Sequence, residues 1–130
     1  VRVEEAYARR MHNVPLTTEG KVTKVLTDDI DETPHQRFII EPEGGHTVLV
    51  AHNLLRGYRV PVKLGDEVEV HGSYVWNKYG GLLHNTHHYG GECTAGKCEP
   101  HEDGYINFVG VKEPEVNLTK SESPDRKTEA

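Results

Sequence analysis

From residue 16 to residue 89, apolar and polar side chains alternate in short runs separated by glycine, proline or aspartate breaks. Period-two alternation of this kind marks strands with one buried face. Thr18, Val22, Val25 and their neighbours predict a long first strand over Leu16–Leu26, with Gly20 as a bend or bulge. Asp28 to Pro34 reads as a polar turn. Arg37–Glu41 and Thr47–His52 flank Glu43-Gly44-Gly45, which predicts a β-hairpin because paired glycines accept the positive φ that tight turns need. After an irregular stretch from Arg56 to Lys63, Leu64-Gly65-Asp66 turns into a fourth strand over Glu67–Trp76, where Val68 and Val70 alternate with Glu67, Glu69 and His71. Asn77 to Gly81 is a further turn, and Leu82–His88 is a fifth strand.

The flanks behave differently. Val3, Ala6, Tyr7 and Met11 recur at three- and four-residue spacing, which predicts a short amphipathic helix. Tyr105–Val111 supplies an edge strand, while Pro114–Ala130 is charged, rich in Ser and Thr, poor in apolar anchors and expected to be disordered. The chain therefore divides into a helix over 1–13, a barrel over 14–111 and a flexible tail over 112–130. Five strands, with a polar segment between the third and fourth, predict an all-β fold: a small OB-like Greek-key barrel rather than a β-sandwich, which would need more strands.

In an OB-like barrel the third and fifth strands run side by side in the same direction, so His52, His87 and His88 finish at one rim. Hairpin pairing about Gly44-Gly45 brings His35 beside His52, and the first turn carries Asp28 and Asp29 there. Three of nine histidines fall within His84-Asn85-Thr86-His87-His88. Such density suggests metal or proton chemistry, since imidazole is a common metal ligand that titrates near neutrality. The ligand set read from the chain is His35, His52 and His88, with His87, His84 and Asp28 as further candidates for one zinc, copper or nickel ion. His84 and His88 share a strand face that excludes His87 unless the strand is bulged. Arg37, Asn53, Tyr79 and Tyr89 are candidate ligand contacts. Trp76 and Tyr74 share the face of Val68 and Val70, which predicts core packing. No haem or phosphate-cradling signature is present, and no serine or cysteine nucleophile has a recognisable setting.

Composition narrows the classes. A length of 130 residues with 35% hydrophobic content supports one domain with a modest core. A net charge of −6 disfavours an electrostatic grip on nucleic acid, leaving a small ligand, a carbohydrate or a protein as partner, with self-association open. No apolar run is long enough to span a bilayer. Cys93 and Cys98 enclose four residues including Gly96 and predict a disulfide, with zinc thiolates beside His101 as the alternative. That pair, and a chain starting at Val1, lead us to expect an exported protein freed of its signal peptide in a periplasmic or secreted setting. Asn117-Leu118-Thr119 matches a glycosylation sequon.

Several blocks in order carry a resemblance: Val25-Leu26-Thr27-Asp28-Asp29, His35-Gln36-Arg37-Phe38, Ala51-His52-Asn53, Gly65-Asp66-x-Val68, Tyr74-x-Trp76-Asn77 and Gly80-Gly81-Leu82-x-His84-x-Thr86-His87-His88. With these the chain resembles a family of small, mostly exported bacterial proteins of unknown function, over roughly residues 16 to 89. The resemblance implies a shared fold and no nameable activity. Where that family usually carries an aromatic residue inside the His-x-Thr-His-His motif, this chain has Asn85, and the Cys93 to Cys98 loop looks like a local addition. The functional classes that follow are a metal or small-ligand site at the histidine rim, a metal-dependent phosphoesterase-like hydrolase using Arg37 or a spare histidine, and a non-catalytic carbohydrate- or protein-binding module.

Overall fold

The structure is a computed structural model that describes residues 1–30, 32–89 and 101–109. The Cys93–Cys98 pair, the sequon at Asn117 and the expected tail lie outside the described residues. A short helix, α1 (Val3–Ala8), leads into β1 (His12–Val25), β2 (His35–Glu41), β3 (Val48–Asn53), β4 (Glu67–Val75), β5 (Leu82–His84) and β6 (Tyr105–Phe108). β1 pairs antiparallel with β2, β2 with β3, and β5 with β4, while β3 and β5 run parallel. A nine-row antiparallel pairing from His12↔Val75 to Lys21↔Glu67 joins β1 to β4 and closes the five strands into a barrel. This order, 1-2-3-5-4-1, is the OB-like connectivity expected from the alternation.

The alternation decides what fills the barrel. Leu16 and Val22 on β1, Phe38 and Ile40 on β2, Val48 and Val50 on β3, Val68, Val70 and Tyr74 on β4, and Leu83 on β5 all point inward and are at most 2% exposed. Burying each of these side chains contributes about 1.5–3 kcal/mol before conformational entropy is charged against it. Tyr74 also donates its hydroxyl to the Gly80 carbonyl at 2.9 Å, and burial pushes its phenol pKa up to about 12, so the donor stays protonated. One end of the barrel is covered by α1. Val3 and Ala6 join the core, Tyr7 stacks on Trp76 with centroids 6.0 Å apart, and the Arg10 guanidinium lies 4.7 Å above the same indole.

Three expectations need correction. The helix ends at Ala8 instead of reaching residue 13, because β1 begins at His12 and the intervening Arg10 is left-handed at φ 51°. The first strand's irregularities fall between His12 and Val14 and between Val22 and Lys24, not at Gly20. Gly20 is instead demanded by contact, since a Cβ there would lie 3.0 Å from the Glu41 carbonyl carbon and the Pro42 nitrogen. Finally, β5 stops at His84 and not His88, because Asn85 takes a left-handed φ of 54° and turns the chain out of the ladder. β6 pairs with Val68–His71 of β4, while β5 pairs with Ser73–Val75 of the same strand.

Two glycines at positive φ separate backbone strain from crowding. Gly65 (φ +90°) has nothing within 4 Å of an added Cβ, whereas at Gly81 (φ +102°) that atom would sit 2.2 Å from the Tyr74 hydroxyl oxygen. Gly65→Ala is expected to cost about 1 kcal/mol from backbone strain alone. Gly81→Ala is expected to cost about 3 kcal/mol or more, because overpacking adds to the strain. Equilibrium urea denaturation of both variants checks the ordering.

Candidate functional site

Opposite α1, the barrel mouth is closed by the segment between β3 and β4. Gln36 and His52 are paired across β2 and β3, one step beyond the Phe38–Val50 pair, so their side chains occupy the inward position at the mouth. Both are polar and nearly buried, at 6% and 4% exposure. Burial of such groups is tolerable only when every donor and acceptor finds a partner. Gln36 donates through Nε2 to the Val60 carbonyl (2.6 Å) and accepts from the Val60 amide at Oε1 (2.8 Å). His52 Nε2 meets the Tyr58 carbonyl at 2.8 Å, and its Nδ1 meets the Thr86 hydroxyl at 2.7 Å. A carbonyl can only accept, so neutral His52 carries its proton on Nε2 and takes the Thr86 hydroxyl proton as a hydrogen bond at Nδ1. Gly57 allows this approach, because a Cβ there would lie 2.8 Å from His52 Nε2. Burial, with a smaller contribution from nearby His35, holds the His52 pKa below its usual 6.5, outweighing the hydrogen bond to Tyr58.

The remaining candidates are divided between this mouth and other parts of the barrel. Asp29 accepts from the His35 amide at 2.9 Å and meets His35 Nδ1 at 3.1 Å. Asp28 pairs with Arg59, tying the 26–34 turn to the 54–66 loop. Arg37 donates from Nε to the Thr27 carbonyl at 3.0 Å, and the Asn53 side chain accepts from the Leu55 and Arg56 amides at 2.8 and 3.1 Å. His87 is buried, with its ring 4.8 Å from that of His101, and the Tyr89 ring lies 5.1 Å from His101. His88 points outward and pairs with Asp103 at 2.9 Å. His84 sits on β5 opposite Ser73. Tyr79 lies at the far end of the barrel, 78% exposed, with the Lys78 ammonium 5.3 Å above its ring. The fold thus brings His35, His52, His87, Asp28, Arg37 and Asn53 to one mouth. Among the described residues it places no group of three or more His, Cys, Asp or Glu side chains to hold a metal ion.

The mouth loops present large apolar side chains to solvent. Ile30 is 95% exposed, Tyr58 93% and Leu55 64%, all on the two loops pinned by the bonds above. Ile30 and Leu55 were not among the residues singled out from the sequence. The available signal was an isoleucine inside the acidic run Asp28-Asp29-Ile30-Asp31-Glu32, where no strand could bury it. A second unanticipated cluster lies on the barrel wall. Thr17 meets His71 Nδ1 at 2.6 Å, His71 Nε2 meets Glu102 at 2.8 Å, and Tyr105 stacks on His71 at 5.6 Å. These contacts clamp β6 and the segment before it to β1 and β4. They join residues distant in sequence, so no local pattern announces them.

A family model described as protein of unknown function (DUF3465) matches residues 1–113. No curated protein matches the chain.

His52 sets an expected pH response. Below 6.5, its ordinary value, the unfolded chain takes up a proton that the folded chain refuses until its lowered pKa is reached. Stability attributable to His52 therefore falls as pH decreases through that window and levels off beneath it. Thermal melts across the range are expected to show a steeper acid-side decline for the wild type than for His52→Gln. His52→Ala is expected to cost about 3 kcal/mol near neutrality, by opening a cavity and abandoning the Tyr58 and Thr86 hydrogen bonds.

Proposed function

The chain belongs to this family of proteins of unknown function (DUF3465), and we propose that its barrel is a non-catalytic binding module whose mouth loops, 26–34 and 54–66, dock a protein partner. The observation that carries the reading is the exposure of Ile30, Leu55 and Tyr58 on loops whose backbones are already fixed. Single exposed apolar residues are ordinary, but Ile30 with Leu55 and Tyr58, on two adjoining, tethered loops, form a surface with a use. The tethers matter energetically: Gln36, His52 and Asn53 hold the loop in place before binding, so less ordering entropy is lost on association. Tyr58 and the neighbouring exposed Arg56 belong to the residue types that dominate protein interfaces, whereas aliphatic Ile30 and Leu55 offer a sugar little to stack on. The net charge of −6 speaks against nucleic acid.

In this reading the histidines are the scaffold of the mouth. A zinc, copper or nickel ion on His52 would require the Tyr58 carbonyl or the Thr86 hydroxyl to give up its present bond, whereas His35 and His88 meet Asp29 and Asp103 through Nδ1 alone.

The test compares partners retained by immobilised wild-type protein and by three variants after cross-linking in its native extract. Tyr58→Ala and Leu55→Ser are expected to lose the retained partner at least about tenfold, the scale of an interface anchor. Tyr79→Ala, at the opposite end, is expected to retain it. Undiminished retention by the two mouth variants would sink the proposal.

A further inference from the structure

β1 is longer than the partner it has on one of its sides. Along β4 it pairs without interruption from Val14 to Lys21, whereas on the β2 side, among the described residues, its pairing begins only at Lys21↔Glu41. The chain leaves the ladder there because Pro42 has no N–H to give it. The turn Pro42-Glu43-Gly44-Gly45, closed by the Gly45 amide on the Pro42 carbonyl at 3.2 Å, carries it off to β3.

In an antiparallel strand, alternate residues turn both main-chain groups to the same neighbour. Val22 exchanges bonds with Gly65 and Asp66 at the entry to β4, at 2.8 Å each, so by alternation Lys21, Glu19 and Thr17 turn theirs the other way. Lys21 meets Glu41, while Thr17 and Glu19 face a gap. The Glu19 carbonyl meets the Thr18 hydroxyl at 3.5 Å, which uses little of its accepting capacity. The gap is an open groove of about 680 Å³, lined by residues 17–21 of β1, by Arg2, Val3 and Glu4 at the start of α1, by 41–45 and by Glu67. Glu4, Glu19, Glu41, Glu43 and Glu67 border it against Arg2 and Lys21, and Arg2 is drawn to Glu4 at 3.5 Å.

We propose that this groove receives an extended basic peptide, which adds to β1 as an antiparallel strand in line with β2. Two features choose the occupant. The open edge matches main-chain donors and acceptors at strand spacing, which an extended peptide supplies. The surrounding glutamates favour lysine or arginine side chains and turn away an acidic strand. Thr17, Glu19 and Lys21 point outward and are exposed, whereas Leu16, Gly20 and Val22 are buried. Peptide residues opposite Thr17 and Glu19 exchange main-chain bonds with them and put their side chains on the same outward face, within reach of the carboxylates. The residue between them turns inward, toward Thr18 and Val3. The preferred sequence therefore alternates apolar and basic residues. Residues 17–21 span about 14 Å at strand rise, so about five peptide residues fit. So short a contact is weak, and salt screens it. The groove stands at the Ile40↔Val48 end of the β2–β3 ladder and the mouth at the His35↔Asn53 end, so the two surfaces act separately.

Fluorescence anisotropy of the dye-labelled peptide acetyl-Val-Lys-Val-Lys-Val-amide, titrated with the full chain in about 25 mM salt, tests this. Saturable binding is expected, weakened at least about tenfold when glutamates replace the lysines or when salt rises to about 300 mM. N-methylation of the lysine amides is expected to abolish binding and N-methylation of the central valine to leave it intact, because only the lysine amides bond the β1 edge. Glu19→Lys with Glu43→Lys is expected to weaken binding at least about tenfold. Both positions are exposed, and melting curves matching the wild type confirm the fold. Tyr58→Ala is expected to bind the peptide as the wild type does, whatever becomes of the partner at the mouth. Equal binding of the N-methylated peptides to the wild type would overturn strand addition. Binding untouched by Glu19→Lys with Glu43→Lys would overturn the groove as its place, and a lack of saturable binding would overturn the proposal outright.

Discussion

The imidazole of His52 is bonded on both sides, to the Tyr58 carbonyl and to the Thr86 hydroxyl, and the character of the barrel mouth follows from those two bonds. A five-strand barrel whose strands carry apolar residues inward leaves two open ends. One is covered by the apolar face of α1, through Val3 and Ala6. The other has no helix and is closed by a loop, and a loop brings backbone carbonyls and amides toward a dry interior where each needs a partner. Gln36 and His52 supply those partners. Both stand at inward positions that an aliphatic residue would otherwise occupy, and both spend their hydrogen-bonding capacity on the 54–63 backbone or on Thr86. Loss of either would leave the loop without an anchor and a polar group buried alone.

The other polar side chains near the mouth are likewise engaged with the loops around it. Asp29 holds His35, Asp28 holds Arg59, Arg37 holds the Thr27 carbonyl and Asn53 caps the turn that follows β3. Each bond ties a loop down. Rigid loops can then display side chains that gain nothing from intramolecular packing, and Ile30, Leu55 and Tyr58 are displayed in this way.

The sequence by itself determined the strands, because the backbone period of two forces each apolar residue in an alternating run onto one face. Val68, Val70 and Tyr74, or Phe38 and Ile40, could be placed in a core without knowledge of any partner strand. Five strands with a polar segment between the third and fourth then pointed to the barrel, in which β3 and β5 run parallel, and the hairpin register brought His35 and His52 together at one rim. Proximity was legible for that reason. Partnership was not, since a histidine reads the same in one dimension whether it meets a metal, an aspartate or a carbonyl. Only the tertiary structure decided that His52 would be pinned between Tyr58 and Thr86, and that Asn85 would end β5 and send His87 inward and His88 outward. The tertiary structure also assembled Thr17, His71 and Glu102 from three separate segments, and it left Ile30 and Tyr58 in solvent. These outcomes depend on where non-local backbone atoms arrive once the barrel closes, and that geometry is not encoded in the local spacing of residues.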